Sequence, residues 1–277
     1  MRRVNFGHVN RTARLAAIPV LLAACGVSQQ QEVQMGAQEA QQVDQQLPML
    51  NDVSINNYVN ALGNQIASHT SRADLAWHFA VVNTDVVNAF ALPGGYVYVN
   101  RGVLSRASNE SELASVLGHE IEHVVLRHSV KQMEQMQGAN VGLTLACALT
   151  GVCNSQVAQA GINVAGGLVF AKMSRTDEIQ ADEGGFHNMI NAGINPRGML
   201  TFFEKLLAEE QQSGGNSNVS AWFSDHPGTQ DRIADVQRML NSTPASELRG
   251  LRTDSNAFEQ MRARLAQLPP APKAPAQ

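Results

Sequence analysis

The chain has 277 residues, 44% hydrophobic and 16% charged, enough for one substantial domain with a real core. Aromatic residues make up only 5%, so that core must be built mostly from Leu, Val, Ile, Met and Ala. The formal net charge is −4, four basic residues (Arg2, Arg3, Arg11 and Arg14) sit at the very start, and no basic run follows, which argues against nucleic acid as a partner.

The first residues read as a targeting signal. A basic start leads into the apolar run Leu15 to Ala24, too short to span a bilayer as a permanent helix, so residues 1–24 are expected to be a signal peptide. The run ends in Leu22-Ala23-Ala24-Cys25. Small residues before a cysteine resemble the bacterial lipobox, in which Cys25 carries the lipid and becomes the new N-terminus. The alternative is an ordinary secretory signal cleaved at a nearby small residue. Export would place Cys147 and Cys153 in an oxidising compartment, where they could close a short disulfide loop; equally, they are two small buried hydrophobes.

Residues 25–50 come next, with nine Gln between 28 and 48 and few large apolar side chains. That composition cannot bury enough surface to fold alone and predicts a tether. In the domain expected over 51–268, Ile55, Tyr58, Val59, Leu62 and Ile66 recur at helical spacing. Leu75 to Val82 reads as a strand, and Ala89–Leu92 and Tyr96–Val99, separated by Pro93-Gly94-Gly95, read as a hairpin. A helix starting near Asn109, with Glu112 three residues on in capping-box style, runs to about His128. The uncharged stretch 139–170 is rich in Gly, Ala, Val and Leu but interrupted by Asn154, Ser155 and Gln156; a buried helical hairpin or a membrane-leaning loop fits it better than a membrane span. Helices are expected over Thr176–Asn191, stopped by Gly193 and Pro196, and then near 196–212, 230–240 and 256–267. The Pro/Ala-rich end, 269–277, is expected to be disordered. The fold class is α+β, mostly helical, with one small sheet.

The chemistry concentrates in His119-Glu120-Ile121-Glu122-His123. On a helix, residues i and i+4 lie on one face about 6 Å apart, which suits two imidazoles reaching one ion. Glu120 is one step around, near enough to take a proton from water. A zinc ion with three protein ligands keeps a position open and lowers the pKa of water there to about 7. A metzincin would continue with Gly at 126 and His at 129; this chain has Leu126 and Ser129, and His128 is out of register. Glu178 is the candidate third ligand. Asp182, one turn along, could fix the tautomer of a ligating histidine. On spacing alone, such an acidic pair is an ordinary solvated helix face.

Four motifs in this order carry a resemblance over about residues 50–245: Asn88-Ala89-Phe90-Ala91-Leu92-Pro93-Gly94-Gly95, Glu112 through His123, Ser174-Arg175 through Glu178 to Asp182, and Asp225-His226-Pro227 with Arg232. The chain resembles the HtpX and BepA group of membrane-associated zinc peptidases, relatives of the CAAX prenyl proteases. The resemblance implies a thermolysin-like zincin core holding one Zn2+ through His119, His123 and Glu178. It also implies an edge strand near Tyr96–Val99 for aligning a peptide. It places His226 and Arg232 in a loop over the active site, where they stabilise the oxyanion or His226 takes the fourth zinc position. No repeat pattern follows the core, so the helical repeat domain of BepA is not expected, and its docking partners do not carry over.

The expectation is therefore a zinc endopeptidase of the bacterial cell envelope, lipid-anchored at the outer membrane and facing the periplasm. Its partners would be unfolded or misassembled proteins or peptides, and the membrane through the lipid. The rival is an envelope chaperone or assembly factor that keeps the metal site but rarely cuts. Binding alone would not need Glu120, which favours the enzyme.

Overall fold

The computed structural model describes residues 26–135, 173–214 and 218–272. The expected signal peptide, Cys25, the stretch 139–170 with Cys147 and Cys153, and the last residues of the tail lie outside the described residues. The first four helices are α1 (Gln29–Gln46), α2 (Val53–Ala67), α3 (Arg101–Arg106) and α4 (Glu110–Val125). Residues 128–135 are helical and form α5. After it come α6 (Arg175–Asn191), α7 (Arg197–Ser213), α8 (Ser220–Asp225), α9 (Thr229–Ser242), α10 (Ala245–Leu248) and α11 (Asn256–Ala266). The described residues also hold three short strands: β1 (His78–Val82), β2 (Ala89–Leu92) and β3 (Tyr96–Asn100). The protein is a mostly helical α+β fold with one small sheet, as expected. No helix among the described residues is long and apolar enough to cross a membrane.

The sheet order is β1-β3-β2, with β1 parallel and β2 antiparallel to β3. The strand expected at the edge, Tyr96–Val99, is instead the central one. Its last four residues are all buried, as befits a strand paired on both sides and covered on both faces. Among the described residues, the free edge next to α4 is β2. Asn100 N–H donates to Asn88 O, so Asn88, Phe90 and Leu92 turn their peptide groups toward β3, while Ala89 and Ala91 turn theirs outward.

The Gln-rich segment expected to be a tether is the 18-residue helix α1, closed by a capping box of Ser28 and Gln31. Gln is a good helix former, and a narrow stripe of Glu32, Gly36, Ala40 and Val43 recurs at helical spacing and is buried. Ala40 and Val43 pack on Val82, Leu92 and Tyr98, covering one face of the sheet. Gly36 meets the β2–β3 turn so closely that a Cβ there would stand 1.8 Å from Pro93 O. Glu32 is fully buried and accepts from Arg72 Nη1 at 2.7 Å, Arg127 Nε at 2.7 Å and Gly94 N–H at 3.2 Å. Three separate parts of the chain supply what a solitary Gln-rich segment lacks. The tail also departs from expectation at its start, since Arg101 Nη1 donates to Pro269 O at 2.6 Å and Ala271 is buried.

The other face of the sheet joins the main core, in which residues of α2, α4, α6 and α7 interdigitate. Helix α4 is buried from Glu110 to Val124. Asn109 caps it as expected, accepting the Glu112 N–H at 3.1 Å, while the Glu112 carboxylate accepts from Ser108 N–H, one residue before the cap. The helix ends at Val125, three residues earlier than expected, because Arg127 adopts a left-handed φ of 57° and the chain turns into α5. Helix α6 crosses α4 at glycines on both sides. A Cβ at Gly185 would lie 3.0 Å from the Gly118 carbonyl carbon and from His119 N, so only glycine lets the two backbones approach. That approach brings the side chains of α6 to the histidines of α4.

Candidate metal centre

His119 and His123 stand one turn apart on α4, buried, with their Nε2 atoms 3.0 Å from each other. Glu178, in the first turn of α6, reaches both: Oε2 is 3.4 Å from His119 Nε2 and Oε1 is 3.5 Å from His123 Nε2. His226, just after α8, adds Nδ1 at 3.3 Å from His119 Nε2 and 3.2 Å from Glu178 Oε2. One donor atom from each of the four lies within 4.8 Å of the others, and all four residues are buried. Ligand atoms about 2.1 Å from a tetrahedral ion stand about 3.4 Å apart, so this set could hold a metal ion. Glu178 Oε1 points into it, buried and without a hydrogen bond.

The charges fit the same reading. Burial lowers the His123 pKa to about 3, and the charge on His119 adds to the effect. At His119, burial and Arg232 act in the same direction, but Glu178 and Asp182 outweigh them and raise the pKa to about 9. Burial opposes ionisation of Glu178, yet His226 and His119 hold it well below the carboxylate range. His123 is thus held neutral and Glu178 ionised, the forms in which each could ligate a cation.

Each histidine has its own backing. Asp182 Oδ1 accepts from His119 Nδ1 at 2.9 Å, as the sequence led one to expect. Asp182 is in turn gripped by Arg232, through Nε at 2.6 Å and Nη2 at 2.8 Å, while Arg232 Nη1 is 2.8 Å from Glu178 Oε2. Arg232 therefore differs from its expected place. It sits in α9 rather than in a loop over the site, fully buried behind two carboxylates, and it does not line the cleft. Behind His123 stands a residue the sequence reading set aside. His128 Nδ1 is 2.7 Å from His123 Nδ1, and His128 Nε2 is 3.1 Å from Gln180 Oε1. Gln180 can only accept there, so His128 carries its proton on Nε2 and offers Nδ1 to His123. The sharp turn at Arg127 produces this contact, and no helical periodicity would reveal it.

Glu120 stands apart from the four donors, buried, lining the cleft, with Oε1 unbonded and 3.6 Å from His226 Nε2. Burial raises its pKa, and His226 and His119 offset part of the rise. The cleft runs along β2 from Asn88 to Pro93. At its near end, His226 Nε2 lies 3.4 Å from the outward-facing Ala89 O, and Asn88 Nδ2 donates to Asp225 at 2.8 Å. Trp222 of α8, fully buried, packs against His226 with ring centroids 4.4 Å apart.

A buried helix pair with a His-His-Glu donor set, opening on a sheet edge, is the build of a metal-dependent peptidase. Residues 54–240 match Peptidase family M48, and the chain belongs to that family. It is 33% identical to the Beta-barrel assembly-enhancing protease of Escherichia coli (strain K12) over 218 residues, covering 76% of this chain and 44% of that protein. It is 32% identical to the Mitochondrial metalloendopeptidase OMA1 of Schizosaccharomyces pombe over 197 residues, covering 71% of this chain and 56% of that one. Metalloprotease LoiP of Escherichia coli (strain K12) is 30% identical over 183 residues, 66% of this chain and 68% of LoiP. The match thus spans less than half the length of the Beta-barrel assembly-enhancing protease.

Proposed function

We propose that the chain is a zinc-dependent endopeptidase of the bacterial cell envelope, held to the membrane by a lipid on Cys25, that hydrolyses misfolded or misassembled proteins. The observation that carries this reading is the convergence of His119, His123 and Glu178 at tetrahedral ligand spacing beside the unbonded carboxylate of Glu120. A bound zinc supplies Lewis acidity to water and to the scissile carbonyl. Asp182 and His128 each take an Nδ1 proton and so leave both Nε2 lone pairs free for the ion. Glu120 Oε1 takes a proton from water and delivers it to the leaving amine, a task that its raised pKa suits. The outward peptide groups of Ala91, which have no backbone partner among the described residues, align an extended substrate by strand addition. Glu178→Ala should lose zinc, while Glu120→Gln should keep it and lose at least about a hundredfold in casein digestion. Full zinc retention in Glu178→Ala, measured by metal analysis of the folded protein, would remove Glu178 from the ligand set.

The same geometry favours latency. His226 Nε2 faces Ala89 O, which leaves Nδ1 toward the metal cluster, so one side chain occupies both the fourth ligand position and the substrate edge. His226→Ala should therefore raise peptidase activity. In wild type, substrate entry should change the fluorescence of Trp222, which His226 must leave. A fall in activity would assign His226 to the transition state instead.

A further inference from the structure

Helix α1 does more than cover the sheet: it forms one wall of the cleft. Glu39 lies three residues after Gly36, which touches the β2–β3 turn, and one before the buried Ala40. That position puts it on the flank of the buried stripe facing β2, and its side chain lines the cleft together with Ala91, Leu92 and Pro93. Glu39 is half-buried but makes no ion pair or hydrogen bond among the described residues, unlike Glu32 on the same helix, which meets two arginines. No lysine or arginine is among the described residues lining the cleft, whereas Glu39, Glu120 and Asp225 are. Met133 and Met173 supply apolar wall beside them. Burial raises the Glu39 pKa with no cation among the described residues to offset it, so the position costs stability unless something beyond those residues compensates.

We infer that Glu39 forms a subsite selecting a lysine or arginine side chain of the substrate, the aliphatic stem lying along Met133 and Met173. The inference rests on the peptidase reading, because it needs an extended peptide on the β2 edge. A strand added there turns alternate side chains to opposite faces of the sheet. One face is covered by α1 and the other by the α4 side. Glu39 therefore meets substrate residues only on the α1 face, and the preference falls on one position with its immediate neighbours indifferent.

The test uses the full-length zinc-loaded protein and a fluorogenic peptide series in which one position at a time is Lys, Met or Glu. Wild type should prefer Lys to Met by about fivefold in kcat/KM at a single position. Glu39→Gln should abolish that preference while cleaving the Met peptides at the wild-type rate, and Glu39→Lys should turn it toward Glu. A Lys preference that survives in Glu39→Gln, or no preference in wild type, overturns the subsite while leaving the peptidase intact. If neither wild type nor His226→Ala cuts any peptide, the peptidase reading fails. Peptide binding to Glu120→Gln, read by anisotropy as a Lys-to-Met affinity ratio with and without Glu39→Gln, then still decides the subsite.

Discussion

The two histidines of the buried helix are one turn apart and converge on one point, yet the protein braces them by different means. Behind His119 the chain is ionic: Asp182, then Arg232, which also reaches Glu178. Behind His123 it is neutral: His128, then Gln180. Burial keeps His128 below its ordinary pKa, so it remains an uncharged acceptor. The difference follows from charge balance. Glu178, Asp182 and Glu120 already place three carboxyl groups in a space with one arginine, and burial has raised the pKa of Glu120. A further carboxylate behind His123 would be buried without a partner, at a cost of several kcal/mol. A histidine–glutamine pair fixes the same tautomer without adding charge.

Breaking the ionic brace should have the largest effect. Arg232→Met leaves Asp182 and Glu178 buried without their arginine, and should destabilise the protein by about 3–5 kcal/mol in urea unfolding, with loss of zinc. Arg232→Lys should recover little, since one ammonium cannot grip Asp182 through two donors while reaching Glu178. Wild-type stability in Arg232→Met would mean that the carboxylates find other partners.

The braces themselves can then be compared at equal size. Asp182→Asn should weaken zinc binding about 10–100-fold, because an amide can present its NH2 to His119 Nδ1 and favour the wrong tautomer. His128→Ala should cost about tenfold, read by competition with a chelating dye. The two sites share no side chain, so the losses should add in the double variant. A double variant no worse than Asp182→Asn alone would show that the braces act as one unit.

Much of this is legible in the sequence alone. The capped helix at Asn109 and the spacing of His119 and His123 rest on local periodicity, whereas Glu178 with Asp182, a solvated face on spacing alone, rests on the resemblance; the structure brings these side chains together. What escaped the sequence depends on contacts between distant segments. Helix α1 looked too polar to fold because its buried stripe is short and includes Glu32, whose partners Arg72 and Arg127 lie 40 and 95 residues away. The centre of the sheet was misplaced because β1 pairs with β3 in parallel, skipping β2, and alternation within a strand says nothing about its neighbours. Arg232 was expected above the site, since a motif fixes residue order but not the side from which a helix approaches.

The smallest effect tests whether the brace on His123 must be neutral. Gln180 accepts from His128 Nε2 at 3.1 Å, but Asp177 Oδ1 lies only 3.6 Å from the same nitrogen. Asp177 is otherwise engaged through Oδ2, which caps α6 at Ser174. In Gln180→Ala, Asp177 can take over as acceptor, turning a neutral brace into an ionic one like that behind His119. Zinc affinity should then fall by no more than about threefold. Removing both acceptors, in Gln180→Ala with Asp177→Ala, should reproduce the roughly tenfold loss of His128→Ala. The single variant also separates two reasons for neutrality. Asp177 is part-exposed, so its charge is already solvated and need not be buried. If affinity holds, any acceptor serves and glutamine matters only for its reach. If Gln180→Ala alone loses tenfold, the brace works only when uncharged, and the balance of buried charge sets the strength of the metal site.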